Sequence, residues 1–514
     1  MTENKYIYTG KELTNEEKEI LLIIKSRIQS SYNKFFTNTS IKCPNIALVC
    51  SGGGYRAMIC FLSCLMGLNK LGIDKLILYI STLSGSTWGL AGLYYFLEKE
   101  HINININNND NGFDPEILNR FKIFLKKRVS YEIFELPISF DKIIGQVYSK
   151  YINQQSVTLV DIWGYIIGNM IFGEDWNQIY LSNYQEIIKK GKYPFPFFTC
   201  IAVDKYKNQK DSGNIKTQIS DDSLFYKVGR TISKSILTFL SSPISNDKNS
   251  NDKKLDDKKL DDKQLDEKNV INYEWMQFNP YNIGFIDYDI SVNTKYFNSQ
   301  FYQGNIVQLK PEMTMSNLLG FFGSAFCVDI DDFTRLYSYE IHHKIFLTFL
   351  KTIIDDLDLE KSRISSGKAY NFGFKIQQFE HKYSNEKYIR CVDAGIDFNL
   401  PFPPLFQRDI DIFIVCDATI GNTRSNLKTS INSLKNKHYK IPKIDYSSIN
   451  LSEISIFHEK NTVTIIYIPN NIQFSTFKLK YTDSEFDILF NDIYNKILKS
   501  SEKILSSIFQ HNLI

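Results

Sequence analysis

The sequence has 514 residues, 43% of them hydrophobic and 23% charged, so the chain can bury a large core and is expected to be mostly globular. Its 60 basic and 57 acidic residues give a net charge of +3, which provides no dominant positive field and argues against a nucleic-acid partner. Eight cysteines at scattered spacings, without a paired C-x-x-C motif, predict free buried thiols rather than disulfides or metal ligands.

The N-terminal segment, residues 1–40, is polar and compatible with a helix, and its pattern supports only a packing or adaptor role. It lacks the apolar run before a small-residue cleavage site that a signal peptide needs. We therefore expect the protein to be cytoplasmic.

Two strand–turn–helix units follow in direct succession. Residues 45–50 are an apolar run that ends at three glycines, 52–54, and apolar residues at helical spacing come next. Residues 76–80 predict a second buried strand and residues 86–99 a second helix. Such units predict an α/β fold with a parallel sheet and helices on its faces.

The uncharged stretch 76–97 is also about as long as a membrane-spanning helix. Small polar residues at 81–87 interrupt it, and a lipid-facing helix would not favour them. A buried strand, turn and helix would use them, so this second interpretation is preferred.

Further apolar runs predict that the sheet is assembled from distant segments. Buried strands are expected at 197–203, 410–416 and 462–468, and an amphipathic helix at 486–504. By contrast, residues 246–269 are rich in Asn, Asp and Lys and contain a five-residue repeat. This segment cannot bury enough apolar surface to offset its ordering entropy, so it is predicted to be a disordered insert.

Ser84 lies between the second predicted strand and helix, where a nucleophile elbow places its serine. The helix N-terminus behind it would favour developing negative charge. The positions two residues before and after this serine must be small. Ser86 satisfies this condition, whereas Thr82 is larger than the usual glycine. A plain Ser-Gly-Ser loop remains the alternative.

The glycine run 51–56 follows the first predicted strand, and adjacent N–H groups at such a turn can form an oxyanion hole. A nucleotide-binding loop would need G-x-x-x-x-G-K-[ST], which no segment fits. Arg56, just after the glycines, can reach an anionic substrate group or form a surface ion pair. No histidine is marked by a motif as a base. Asp393 stands at the end of a short apolar run, against small residues, although Asp-Ala-Gly is also a common turn.

These motifs together resemble a known family. Residues 51–58, SGGGYRAM, resemble the S-G-G-G-[FY]-R-A-M signature of the group IV cytosolic phospholipase A2 catalytic domain, and 83–88, LSGSTW, resemble its L-S-G-S-T-W. The sequence VDAG at 392–395, with FNLP at 398–401, is similar to the family's aspartate motif. Blocks 274–284 and 320–326 match further, so the similarity runs from about residue 40 to the end.

The resemblance implies a role for each site residue. Ser84 and Asp393 would form a Ser/Asp dyad without histidine, Gly53 and Gly54 would supply the oxyanion hole, and Arg56 would bind the substrate phosphate. No cofactor and no metal are implied. The segment 107–118 is a poor calcium loop. It has asparagines at 107, 109 and 111, where carboxylates should supply charge, and Leu118 in place of the closing glutamate.

The resemblance also implies a patatin-like α/β fold with a mainly parallel central sheet and cap inserts, in which 41–514 form the catalytic domain. The expected activity is that of a serine acyl hydrolase acting on glycerophospholipids or lysophospholipids and associating peripherally with intracellular membranes. Aromatic stretches at 193–198 and 321–322 are candidates for membrane docking, and core packing explains them at least as well. A broad-specificity acyl hydrolase or transacylase, or a catalytically weak lipid-binding protein suggested by Thr82, remains a rival interpretation.

Overall fold

The computed structural model describes residues 6–10, 13–36, 41–103, 112–133, 136, 140–203, 273–326, 366–376, 383–421, 423–435 and 437–511. The predicted insert at 246–269 lies outside these residues, as do residues 107–111 of the calcium-loop alternative.

The strands, in chain order, are β1 (Ile7–Thr9), β2 (Ile46–Cys50), β3 (Ile77–Leu83), β4 (Phe195–Val203), β5 (Glu274–Phe278), β6 (Asn282–Phe285), β7 (Ile290–Asn293), β8 (Gln300–Tyr302), β9 (Asn305–Gln308), β10 (Gly367–Tyr370), β11 (Tyr388–Val392), β12 (Ile412–Asp417), β13 (Ser455–Phe457) and β14 (Thr464–Pro469). The helices are α1 (Asn15–Phe36), α2 (Gly54–Lys70), α3 (Gly85–Asn103), α4 (Pro115–Val129), α5 (Phe140–Ile152), α6 (Leu159–Phe172), α7 (Gln185–Ile188), α8 (Met315–Phe322), α9 (Thr423–Lys435), α10 (Asp483–Lys499) and α11 (Ser501–Gln510).

Most of these strands form one mixed sheet. Its order is β1-β7-β6-β5-β4-β3-β2-β12-β14-β13, and β11 joins it through β4, with β10 paired to β11. The five strands from β4 to β14 run parallel to one another. The strands flanking them, including β11, pair in antiparallel fashion. The predicted α/β fold with a parallel sheet at its centre is confirmed.

The parallel centre is buried on both faces, as expected when helices cover a parallel sheet. Every residue of β2, β3, β12 and β14 is buried, and α2 packs against both α3 and α10. The stretch 76–97 forms β3 and most of α3, as the sequence indicated. None of the helices in the described ranges is long and apolar enough to cross a membrane.

The predicted closing helix at 486–504 consists of two helices. Thr482 begins α10 with a capping box, in which Glu485 bonds back to the Thr482 N–H at 2.9 Å. Ser500, at φ −103°, ends α10 and starts α11. The apolar periodicity continues across this break, which explains why the pattern alone predicted one element.

The aromatic stretches at 193–198 and 321–322 belong to the core. Their rings are fully or almost fully buried, and Phe198 lies 6.0 Å from Phe322, ring centre to ring centre. The membrane-docking interpretation of these residues was therefore wrong: Phe198 packs against Phe322 of α8, Tyr193 packs against Phe113, and Phe195 stacks on Tyr281. An apolar run alone does not distinguish the two environments.

The described part of the N-terminal segment packs onto the same domain. β1 forms one edge of the sheet by pairing with β7, and α1 buries one apolar side. Glu17 of α1 forms a buried ion pair with Arg408, with Oε1 2.8 Å from Nε. The Arg408 guanidinium also lies over the Phe197 ring of the sheet, 4.2 Å from its centre.

Candidate active site

Two strands of opposite direction meet on one edge of β4. The other edge of β4 is taken by β5, so β3 and β11 must share this one. Their last residues pair two positions apart, Leu83 with Thr199 and Val392 with Ile201. The next residue after each strand end is Ser84 or Asp393. The sheet therefore brings together two side chains that are more than 300 positions apart in the sequence.

Ser84 occupies a strained turn between β3 and α3. Its φ is +51°, a left-handed conformation that is uncommon for a residue with a side chain and typical of a nucleophile elbow. The turn fits because Gly85 follows: a methyl group on its Cα would lie 1.9 Å from the Gly54 carbonyl oxygen. Ser86 closes the elbow, since its Oγ accepts the Leu83 N–H at 3.0 Å and donates to the Cys50 carbonyl at 2.8 Å.

Thr82, the residue that departs from the family pattern, is accommodated in the sheet. Its side chain is buried, and Oγ1 donates to the Phe197 carbonyl at 3.0 Å and accepts from Thr87 Oγ1 at 3.2 Å. The hydroxyl is thus satisfied inside the core, and Ser84 still adopts the elbow conformation. The larger side chain does not displace the serine.

The glycine turn lies beside this elbow. Gly53 has φ +134° and Gly54 has φ +57°, conformations that a residue with a side chain rarely adopts. α2 begins at Gly54, and the first N–H groups of a helix have no partner within it. These donors and the positive end of the helix dipole suit a developing oxyanion. The parallel pairing of β2 with β3 brings the glycine turn and Ser84 to the same end of the sheet.

Asn399, which the sequence analysis did not single out, fixes this turn. Its Oδ1 accepts the Gly52 N–H at 3.0 Å, and its Nδ2 donates to the Gly52 carbonyl at 3.2 Å. It lies in the FNLP block at 398–401, which matched the family without indicating a role for the amide. The match of this block to the family was the sequence feature that pointed to Asn399.

Asp393 is almost completely buried, with 1% of its surface exposed. Its Oδ1 accepts the Gly395 N–H at 2.9 Å. Burial raises the pKa of Asp393 from 3.8 to about 6, and the nearby N–H groups of Gly395 and Ala325 and the Ser84 side chain oppose the rise. A carboxyl group with such a pKa is mostly ionised at neutral pH and remains basic enough to take a proton.

Arg56 is only 2% exposed, and its guanidinium lies against Gly53. Three of its five N–H groups donate to protein oxygens, Ala418 O at 2.7 Å, Phe474 O at 2.6 Å and Thr476 Oγ1 at 3.0 Å. The surface ion pair considered in the sequence analysis is not formed with any described residue. No described residue accepts a hydrogen bond from the other two N–H groups.

Two described histidines that form side-chain hydrogen bonds, His458 and His511, lie away from this site. His458 and His511 both bond to Thr464 Oγ1, at 2.7 and 2.9 Å. Thr464 starts β14, whereas Ser84 follows the end of a strand parallel to it. These histidines therefore lie at the opposite end of the sheet from the serine.

The chain is similar in sequence to known proteins. The chain matches the family model of the lysophospholipase catalytic domain over residues 46–220 and 259–476. It is 21% identical over 510 residues to cytosolic phospholipase A2 zeta of Homo sapiens, covering 86% of this chain and 50% of that protein. The chain thus spans half the length of this curated relative.

Solved structures show the same fold. Human GIVD cytosolic phospholipase A2 superposes with a TM-score of 0.70 at 16% identity, covering 98% of this chain and 68% of that chain. The same human protein in complex with methyl gamma-linolenyl fluorophosphonate gives a TM-score of 0.65 at 16% identity, covering 100% and 66%. The expected fold of the cytosolic phospholipase A2 type is confirmed.

Proposed function

This chain belongs to the lysophospholipase catalytic-domain family, and from that premise we propose that it hydrolyses fatty acyl esters of glycerophospholipids and lysophospholipids. The observation that carries the proposal is the convergence of two strand ends on one edge of β4, which brings Ser84, held in an elbow at φ +51°, to the buried Asp393. A serine hydroxyl is a weak nucleophile unless an adjacent base accepts its proton. We propose Asp393 as that base, and its burial at the end of β11, next to the end of β3 on β4, supports this role.

The proposed reaction proceeds through an acyl-enzyme. Asp393 takes the proton from Ser84 Oγ as this oxygen attacks the ester carbonyl, and the oxyanion is held by the N–H groups of Gly53 and Gly54. The tetrahedral intermediate collapses, the protonated aspartic acid returns its proton to the leaving alcohol, and the fatty acyl group stays on the serine. Water, deprotonated by the same carboxylate, then attacks the acyl group; the bond to Ser84 Oγ breaks, this oxygen regains the proton from Asp393, and the fatty acid leaves. Each step uses side chains or backbone donors of this chain, so no cofactor is proposed.

Arg56 is proposed as the phosphate ligand through its two remaining N–H groups, one on each terminal nitrogen. Burial lowers the pKa of Arg56, but a guanidinium remains protonated at neutral pH and can pair with a phosphate. Its position against Gly53 places that charge beside the glycine turn. Since the proposed substrates form aggregates, we further propose that the protein is cytoplasmic and meets intracellular membranes peripherally.

The test is hydrolysis of a panel of labelled phospholipids and lysophospholipids in detergent-mixed micelles with excess chelator. Wild-type protein should release fatty acid, and Ser84→Ala and Asp393→Ala should each reduce the rate to background while keeping the wild-type circular dichroism spectrum. The two losses should not add in the double variant, because the dyad acts as a unit. Hydrolysis that survives either substitution would refute the dyad, and a rate that requires calcium would refute the proposal of a metal-free reaction.

A further inference from the structure

Helix α8 ends directly beside Asp393. The short helical turn after it, Ser324–Phe326, places Ser324 Oγ 2.9 Å from the Asp393 N, and the hydroxyl oxygen accepts that N–H. The next N–H in the turn, that of Ala325, lies near the Asp393 carboxylate and favours its charged form. One turn therefore contacts both the backbone and the side chain of this aspartate. Ser324 is 2% exposed, so water does not compete for these bonds.

The turn is fixed with respect to the serine elbow by two buried tryptophans. Trp88 of α3 donates its indole N–H to the Leu319 carbonyl at 3.3 Å, and Trp163 of α6 donates to the Gly323 carbonyl at 3.0 Å. Trp88 lies in the first part of the helix that starts just after Ser84. A shift of the α8 end relative to the elbow would break both indole bonds.

The start of α8 is anchored by a buried ion pair. Asn317 Nδ2 donates to Asp161 Oδ1 at 2.9 Å, and the same oxygen lies 2.5 Å from Lys150 Nζ. The Lys150 and Asp161 side chains are almost fully buried. Both ends of the helix are thus held by polar contacts, which gives the following turn a defined position.

Resting on the proposed function, we propose that Ser324 is a positioning residue that, together with the Ala325 N–H, orients the Asp393 carboxylate toward Ser84. Without the Ser324 hydroxyl, a buried N–H would have no acceptor, and the end of β11 would shift to find one. The Ala325 N–H would move away from the carboxylate, which would lose part of the stabilisation of its charged form.

The groups around Asp393 explain why its carboxylate depends on hydrogen bonds. The ionisable groups that face it from the described residues are thiols, Cys200 of β4 and its neighbour Cys391, and burial holds the pKa of Cys200 well above its usual value. Asp397, further along the chain, accepts from the Trp275 indole N–H at 2.7 Å. No charged partner among these groups stabilises the carboxylate, so hydrogen bonds carry that role.

The experiment compares Ser324→Ala with Ser324→Thr and with Ser299→Ala as a matched control. Ser299, in the loop before β8, is also fully buried. Its Oγ accepts the backbone N–H of Lys310 at 3.1 Å. Ser324→Ala should lower kcat roughly tenfold. It should also move the acid limb of the kcat/KM profile to higher pH by roughly half a unit or more. Ser324→Thr should restore both, and Ser299→Ala should change neither.

A second readout does not depend on turnover. The carboxyl pKa of Asp393 can be followed by ¹³C NMR of aspartate-labelled protein, with Asp393→Asn identifying the signal. It should be higher in Ser324→Ala than in the wild type. An unchanged carboxyl pKa together with an unchanged pH profile would overturn the positioning role, even if activity fell. Absence of hydrolysis by the wild type would instead refute the proposed function, and the NMR titration would still decide the role of Ser324.

Discussion

Asn399 forms two hydrogen bonds with the peptide backbone of Gly52: its Oδ1 accepts the Gly52 N–H at 3.0 Å, and its Nδ2 donates to the Gly52 carbonyl at 3.2 Å. The same Nδ2 donates to Thr419 Oγ1 at 2.8 Å. Gly52 immediately precedes the two glycines proposed as the oxyanion hole. The amide therefore fixes donors that must be in place before the reaction starts.

The first prediction follows from these two hydrogen bonds between Asn399 and Gly52. Asn399→Ala should lower kcat roughly tenfold or more, because the glycine turn gains freedom when both contacts are lost. Initial rates and thermal unfolding measure the effect. The control is Asn371→Ala, since Asn371 Nδ2 also bonds to backbone carbonyls, those of Tyr383 and Glu386, both at 2.8 Å. An equal loss of kcat in the control would mean that general destabilisation explains the result.

The second prediction concerns pH. Asp393 accepts a proton only when it is ionised, and burial raises its pKa to about 6. The rate should therefore be low at pH 5, rise through pH 6 and level off above pH 7. Profiles of kcat/KM in a constant-ionic-strength buffer series measure this. A rate that stays constant down to pH 4.5 would exclude a base with such a pKa.

The third prediction concerns Thr82. Thr82→Gly should keep hydrolysis within about threefold of wild type, because glycine is common at this place of an elbow. It should lower the free energy of unfolding by about 1–3 kcal/mol, since the side chain's two hydrogen bonds and its packing are lost. Thr82→Ser, which keeps the hydroxyl, is the control. Loss of activity in folded Thr82→Gly would show that the threonine shapes the elbow.

The fourth prediction separates two roles of Arg56. If its free N–H groups bind phosphate, Arg56→Lys should reduce phospholipid hydrolysis roughly tenfold more than hydrolysis of a neutral fatty ester, because lysine lacks the two-pronged grip. Arg128→Lys is the control, since Arg128 also donates to carbonyls, Met170 O at 2.8 Å and Asn169 O at 2.5 Å. Equal losses on both substrates would assign Arg56 to holding the Ala418 and Phe474 backbones.

The sequence predicted those parts of the fold that depend on a continuous local pattern, such as an apolar run. The apolar runs before Ser84 and before the glycines mark β3 and β2, since buried parallel strands are continuously apolar. The roles of Ser84 and Asp393 remain predictions, and the structure adds that the two strand ends converge on one edge of β4.

Other features depend on contacts that no local pattern records. Asn399 reaches Gly52 across 347 positions, and Ser324 reaches Asp393 across 69, each from a polar residue in an otherwise ordinary turn. The aromatic run at 193–198 could not be placed by composition, because a core strand and a docking surface are equally apolar. For the antiparallel strands β5 to β7, the sequence showed only that residues 274–284 resemble a block of the family. It did not predict which strands pair.

The most direct test of the dyad is covalent labelling. A long-chain fluorophosphonate reacts with an activated serine, and a related inhibitor is bound in one of the solved structures of similar fold. Peptide mass mapping after reaction should show one adduct, on Ser84, absent in Ser84→Ala and formed at least about a hundredfold more slowly in Asp393→Ala. An adduct on another serine, or labelling of Ser84 at the wild-type rate in Asp393→Ala, would contradict the account.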